Sequence, residues 1–471
     1  MVGDISAKNN LIVSTVGKPF STDPYLYDAF VHHIAFRSVY SSLITQYQLG
    51  ALQGLVAETW QVSSDYKHWT FKIRNSFKFE NGDLITPKIV VQSLQRLAYL
   101  QKQKKSSSDI FDNLVGIDHL TQITPTIEGM KYTSTEVEFT FKKPIKNLLD
   151  LLSFGQYAIV HPNDYDQKTG KWINDHTIIS SGAYKITEWN EKAVVLSLRQ
   201  DVDKSLYHPS AFKTVTISWA DSERNTADLI VGHSTDQYAG HDFHGGAISG
   251  IGYARCRSWK LKNSPCYEKN NRIALRNSLY SEFTLKGIKV TKSFFPLAMQ
   301  SITELKNDSA DSSPNLKGKA VKYCVSKYPN KIFHDFNNNI ESAILKTGAI
   351  PKRIEIDNTL FIKEYNQDLQ NYSADIYILN TNILIEEPLN DVRFMFFSKE
   401  GVRLPDPDLS ASAELNKSNP NIQSINEKLY NDAIIWPITH FAFGFWSKGF
   451  IDFSKYNSLL PPADFQWIGA K

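Results

Sequence analysis

Between Arg74 and Leu94 the run RNSFKFENGDLITPKIVVQSL places a strand pattern, a tight turn and a capped helix start end to end, which leaves little choice of local structure. Phe77 and Phe79 alternate with Ser76, Lys78 and Glu80, the period of a half-buried strand. Asn81-Gly82 supplies a pair that tolerates positive φ, so the strand is expected to end there in a hairpin turn. Thr86 stands where an N-cap belongs and Pro87 at the first helical position, where its missing N–H costs nothing. Val90, Leu94 and Leu97 then recur on one face, and a helix is predicted from about residue 87. Lys88 in its first turn opposes the macrodipole by about a few tenths of a kcal/mol, less than the cap contributes.

Period-2 patterns surround this unit. HWTFKIR alternates Trp69, Phe71 and Ile73 against polar neighbours, and TEVEFTFKK does the same with Val137, Phe139 and Phe141; both suit antiparallel strands with one wet face. A small α+β module over about 40–157 follows. SSGAYKITEWN, AVVLSLRQD and KTVTISWA read as further strands, the last with Val215, Ile217 and Trp219 on one face. Residues 221–250 are poor in periodicity and rich in Gly and His, and NDSADSSPNLKGKA (307–320) has the composition of a connector. ADIYILN (374–380) is a continuous apolar run of the buried parallel-strand kind, and NIQSINEKLYNDA is an amphipathic helix with Ile422, Ile425 and Leu429 inward. Strands alternating with helices argue for an α/β lobe in the second half, and 471 residues are enough for two or three lobes.

Charge and motif content exclude several functions. The 52 basic and 49 acidic residues nearly cancel, so no nucleic-acid footprint is present, and the basic run LQKQKK at 100–105 reads as a solvated helix end. HExxH, Walker A, G-x-S-x-G and kinase signatures are all missing. GAISGIG (246–252) lacks the glycine spacing of a dinucleotide fingerprint and is expected to be a flexible loop. His233, His241 and His244, with Asp242, are the one cluster with metal-ligand character, although Gly-rich surface loops often collect histidines; no metal or cofactor is assigned. Adjacent Glu386 and Glu387, near Asp391 and Arg393, do not make a catalytic carboxylate pair, since sequence neighbours point apart. The three cysteines form neither a disulfide framework nor a CxxC pattern; Cys256 and Cys266 are close enough to pair in an oxidising compartment, which leaves Cys324 odd. MVGDISAKNN has no basic n-region and no apolar h-region, so no secretory signal is read there, and it equally suits a mature start behind an added methionine. AIIWPITHFAFGFW (433–446) is too short to span a bilayer and is broken by Pro437 and His440.

The segment LVAETWQVSSDYKHWTFKIRNSFKFENGDLITPKIVVQSLQRL, Leu55 to Leu97, resembles the bacterial extracellular solute-binding protein family 5, the oligopeptide, dipeptide and nickel type of ABC-transporter receptor. That family runs L-A-E-S-W, a strand ending F-x-L-R, then V-K-F-x-D-G-x-x-x-T-A-x-D-V. Leu55, Ala57, Glu58, Trp60, Phe71, Ile73, Arg74, Phe77, Lys78, Phe79, Gly82, Thr86, Val90 and Ser93 match in order. STDPYLYD near the N-terminus, and SSGAYKITEWN (with Ala183 for the family's proline), ALRNSLYSEF and INEKLYNDAIIWPITH further on, are similar to other family segments in register, while 221–265 departs from the pattern. The resemblance implies an α/β protein of the type II periplasmic-binding-protein fold, cluster C type: two hinged lobes around a cleft and an extra α+β domain. It implies lobe I from 1–39, 158–245 and 445–471, the extra domain at 40–157 and lobe II at 246–444.

The same resemblance implies a non-catalytic receptor that delivers an oligopeptide or other polar organic solute to a membrane ABC permease. A monomer is expected, in the periplasm or at the cell surface, with the signal or lipid anchor outside this sequence. By position the ligand would meet Thr22, Asp23 and Tyr25 of lobe I and Asn380, Thr381, Asn382 and Glu386 of lobe II, with Tyr253, Arg255 and Trp259 as weaker candidates for which packing is an equal reading. Peptide-binding relatives carry D-x-x-[DE]-P, whose Asp pairs with the peptide ammonium. Anchored on Pro388, that position is Leu384, which cannot hold a buried ammonium. Either Glu386 serves in a shifted register or the ligand has no free amine there. The competing reading is an interaction or sensing protein on the same fold.

Overall fold

The computed structural model describes residues 9–15, 17–19, 21–26, 30–47, 51–103, 110–123, 127–173, 177–234, 238–285, 289–295, 302–303, 305, 314–327, 331–357, 373–384, 392, 408–417, 420–456 and 464–471. Its elements in chain order are β1 (Asn10–Ser14), α1 (Phe30–Phe36), β2 (Ile44–Tyr47), β3 (Ala51–Gly54), β4 (Ala57–Val62), β5 (His68–Ile73), α2 (Pro87–Gln103), β6 (Met130–Tyr132), β7 (Glu136–Thr140), α3 (Leu148–Leu152), β8 (Tyr184–Trp189), β9 (Ala193–Leu198), β10 (Thr214–Ser218) and β11 (Leu229–His233). There follow β12 (Asp242–Cys256), α4 (Lys269–Leu285), β13 (Ala320–Lys327), α5 (Lys331–Lys346), β14 (Ile350–Asp357), β15 (Ile376–Leu384), α6 (Ser412–Leu415), α7 (Ile422–Asn431), β16 (Ile435–Ser447), β17 (Ile451–Asp452) and β18 (Gly469–Ala470). By contacts the chain divides into a first unit of 1–232, 238–244 and 445–471 and a second of 233–237 and 245–444.

In the first unit the strands lie in the order β11-β1-β10-β9-β8, with β1 parallel to both neighbours and β10, β9 and β8 antiparallel in turn. A separate antiparallel sheet, β4-β5-β7-β6, carries its own core. Trp69, Phe71 and Ile73 of β5 and Val137 and Phe139 of β7 all point into it, as period 2 requires, and α2 covers it with Val90, Val91, Leu94, Leu97 and Ala98. Each such fully buried side chain contributes about 1.5–3 kcal/mol. Helix α2 begins as its sequence dictates: the Ile89 N–H donates to Thr86 Oγ1 at 3.4 Å, and Pro87 occupies the first position. Gly82 has φ of +92°, as the turn demands. The Phe77–Glu80 stretch, however, forms only an isolated bridge between Lys78 and Leu84 rather than a strand. The Phe79 N–H donates to the Asp83 carbonyl and the Gly82 N–H to the Phe79 carbonyl, so the turn closes too tightly to leave a ladder.

In the second unit the order is β14-β13-β15-β12-β16, with β13 parallel to β14 and β15, and β15 antiparallel to β12. Both faces of this sheet are buried. Ile251, Tyr253, Cys324, Tyr377 and Leu379 pack on one side with Ile425 and Leu429 of α7. Ala254, Cys256, Tyr323, Ile376 and Ile378 pack on the other with Leu275 and Leu279 of α4 and Ile340 and Ile344 of α5. Alternate residues of each strand feed opposite cores, which is why ADIYILN reads as continuously apolar.

A second expectation is overturned here. GAISGIG is not a flexible loop but the middle of the fifteen-residue strand β12. Glycine serves packing in this strand: a Cβ on Gly250 would run into the ring of Phe441.

Candidate ligand-binding site

The Ser21–Tyr25 segment orients one carboxylate. The Asp23 N–H donates to Ser21 Oγ and the Tyr25 N–H to Asp23 Oδ1, each at 3.1 Å, a local turn of the Asx kind. Arg96, from the buried side of α2, donates to both Asp23 oxygens at 2.9 and 2.7 Å. This bidentate pair is sealed off, with side chains 3% and 6% exposed for Arg96 and Asp23. The same guanidinium donates through Nε to the Gly170 carbonyl at 2.8 Å and lies 5.0 Å from the ring centroids of both Tyr165 and Trp172. Thr22 is fully buried; its Oγ1 accepts from Trp172 Nε1 at 3.0 Å and its carbonyl from Tyr40 Oη at 3.1 Å. Tyr25 is half-buried and donates its hydroxyl to the Leu100 carbonyl at 3.3 Å. All three candidates of the first unit are thus tied to α2 and the 161–172 segment. Arg96 was not among the residues singled out from sequence, and its signal was a cation set among Leu94, Leu97 and Ala98.

Beside this network lies Asp164, whose two oxygens accept the Ile179 N–H at 3.1 and 3.2 Å. Burial pushes its carboxyl up to about 7, and the charge of Glu80 adds to the rise while backbone donors and Arg96 oppose it.

In the second unit Tyr253 and Arg255 sit on β12, both fully buried. Tyr253 packs edge-on against Phe294 at 5.7 Å. In the β12–β15 ladder Tyr253 stands opposite Leu379 and Arg255 opposite Tyr377, while Asn380, Thr381 and Asn382 stand opposite Gly252, Ile251 and Gly250. The sequence-predicted polar run therefore lies in the carboxyl-terminal half of β15, which ends at Leu384 opposite Ile248. Glu386 lies outside the described residues. Trp259 is half-buried in the loop after β12; Lys260 Nζ lies 4.9 Å and the Arg272 guanidinium 5.9 Å from its ring centroid, and Lys260 also pairs with Asp408.

His241 and His244 each engage partners other than a metal-ligand set. Both ring nitrogens of His241 face carbonyls, Ala239 at 3.0 Å and Ala227 at 2.8 Å. His244 contacts Ser447 Oγ through Nε2 at 2.9 Å and stacks on Phe445 at 5.0 Å, and burial lowers its pKa. The His233 side chain is outside the described residues, and among the described residues no group of three metal-ligating side chains is found.

The fold is that of the cluster C periplasmic-binding-protein type. Residues 51–237 match the family model described as bacterial extracellular solute-binding proteins, family 5 Middle. The Periplasmic oligopeptide-binding protein OppA of Salmonella typhimurium is 25% identical over 203 residues, 41% of this chain. That match spans only 36% of OppA. In fold the likeness runs the full length. The Escherichia coli murein tripeptide binding protein MppA aligns over 98% of both chains with a TM-score of 0.75 at 17% identity. MoaA from A. tumefaciens R10, solved in complex with mannopinic acid, aligns over 99% of this chain and 100% of its own with a TM-score of 0.76 at 13% identity. Among the described residues no helix is long and apolar enough to cross a membrane.

Proposed function

We propose that the protein is the extracytoplasmic receptor of an ABC importer, in the periplasm or at the cell surface, binding an oligopeptide or related polar organic solute and handing it to a membrane permease. One observation carries this reading: the family 5 match takes in most of the α+β module and runs on through β8 to β11, on a chain that follows the fold of solute receptors over 98% of its length. Asn380, Thr381, Asn382 and Glu386 are the lining residues carried forward, at and beyond the carboxyl end of a strand of a mixed sheet, where α/β folds bind ligands. Thr22, Asp23 and Tyr25 have their polar groups engaged within the first unit, and their role on this reading is to hold the segment that faces the ligand.

Leu384 favours a second ligand class. It stands where the resemblance implies an ammonium-binding Asp, so a solute without a free α-amine, such as a blocked peptide, a sugar acid or a metal complex, fits that position better. The deciding experiment is mass spectrometry of small molecules released when freshly purified protein is denatured, followed by adding the candidates back during thermal unfolding. Recovery of peptides with free amino termini supports the first class and an amine-free solute the second. If nothing is released and no peptide, opine, sugar or chelate stabilises the protein, the receptor reading fails in favour of an interaction protein.

A further inference from the structure

Cys256 closes β12 and Cys266 precedes α4, ten positions apart, and their sulfurs approach to 3.2 Å. Both side chains are fully buried in the same core, on the α4–α5 side of the sheet. Cys324 is also buried but belongs to the core on the opposite face, so the sheet itself separates it from the pair.

The loop between the two cysteines is framed as if to hold them. The Arg257 N–H donates to the Asp375 carbonyl at 2.9 Å, and the Ser258 and Ser264 hydroxyls both reach Asp375 Oδ1, at 2.7 and 2.9 Å. The Cys266 N–H donates to Ser264 Oγ at 2.9 Å, and Arg272 Nη1 donates to the Cys266 carbonyl at 3.0 Å. On the other side the Cys256 N–H donates to the Ile434 carbonyl at 2.8 Å. Both ends of the loop are fixed by hydrogen bonds that do not involve sulfur. Covalent contact then needs an approach of only about 1.2 Å, to the roughly 2.0 Å of an S–S bond.

We propose that Cys256 and Cys266 are a disulfide site, closed by thiol–disulfide exchange with an external disulfide of the glutathione or oxidoreductase class. One cysteine thiolate attacks a sulfur of that disulfide and displaces a thiol; the second cysteine sulfur then attacks the mixed disulfide and displaces the other. One S–S bond breaks and one forms, the two cysteines are oxidised, and the external disulfide leaves as two thiols that take up the two cysteine protons. Burial pushes the Cys256 thiol well above its usual range, so the native dithiol is a poor nucleophile and the bridge closes while the chain is still folding. The finished bridge clamps the loop that carries Trp259 and the start of α4.

The site follows from the geometry alone; where in the cell it closes rests on the proposed extracytoplasmic location. The denatured, reduced full chain is refolded in a buffer of oxidised and reduced glutathione, then unfolded in iodoacetamide without reductant and analysed by peptide mass spectrometry. The expected result is a Cys256–Cys266 linked peptide pair, lighter by two hydrogens than the dithiol form, with alkylation at Cys324 alone. Cys324→Ala is expected to keep the bridge. The bridged protein is expected to melt about 5–10 °C above the reduced one, as a short closed loop in a domain of this size implies. Alkylation of all three cysteines, or a bridge to Cys324, overturns the proposal. The same alkylation on protein taken directly from its own cells then reads the compartment: thiols there, with a bridge in the glutathione buffer, count against the proposed location and not against the site.

Discussion

At the scale of single residues, the Asp23–Arg96 pair decides how the N-terminal segment is held. Removing one partner leaves a buried charge uncompensated, and Arg96→Leu or Asp23→Leu alone is expected to cost about 3–5 kcal/mol in urea unfolding. The double substitution should cost clearly less than the sum, because it removes both charges together. Additive losses would mean that the two side chains are not coupled. Asp164 makes a separate prediction with a defined sign. Its carboxyl rises from 3.8 unfolded to about 7 folded, so between those values the unfolded chain ionises first and stability falls as pH rises. Relative to Asp164→Asn, the wild type should lose about 2–4 kcal/mol from pH 4 to pH 7, the loss levelling off within about one unit above the folded value. Parallel pH curves for the two proteins would contradict this. Of these residues only Asp23 was legible in the sequence, as a polar residue in a recognisable place. Its partner lies 73 positions away, and no local pattern reports which cation meets which carboxylate.

Among elements, legibility followed side-chain periodicity. HWTFKIR and TEVEFTFKK became β5 and β7 with the expected residues inward, and NIQSINEKLYNDA became α7, because each signal is carried by side chains repeating at the pitch of its element. Strand β12 was missed because its first half, DFHGGAISG, has almost no side-chain pattern; glycine there answers to Phe441, from β16, far away in sequence. Gly250→Ala is therefore expected to destabilise the protein by about 1–3 kcal/mol, as overpacking does, and Phe441→Leu in the same chain should recover much of the loss. Chemical denaturation of the single and double variants checks it; a harmless Gly250→Ala would return this strand to the flexible reading. The half of the candidate site on β15 was legible as a polar run following a buried one, but which face each residue takes was fixed only by the register with β12.

For the whole molecule, the near balance of 52 basic and 49 acidic residues removes long-range electrostatics as the main source of affinity. On the proposed reading a solute is recognised by short-range polar contacts in the folded protein. Such binding stabilises the native state by mass action, wherever on the chain the contacts are made. At a hundred times its Kd the ligand adds about 2.7 kcal/mol, and at a thousand times about 4.1. The unfolding free energy should therefore rise by about 1.4 kcal/mol for each tenfold increase in free ligand above Kd, without a plateau. Adding the released solute, an amino-terminally blocked peptide and its free-amine counterpart over several decades of concentration, with the urea midpoint as readout, measures this slope for each class. The wild-type Leu384 protein is expected to show the slope at lower concentrations with the blocked peptide than with the free one. The reverse order would assign the ammonium to another carboxylate, Glu386 first. A flat response to all three would leave the family fold without a solute and direct attention to a macromolecular partner.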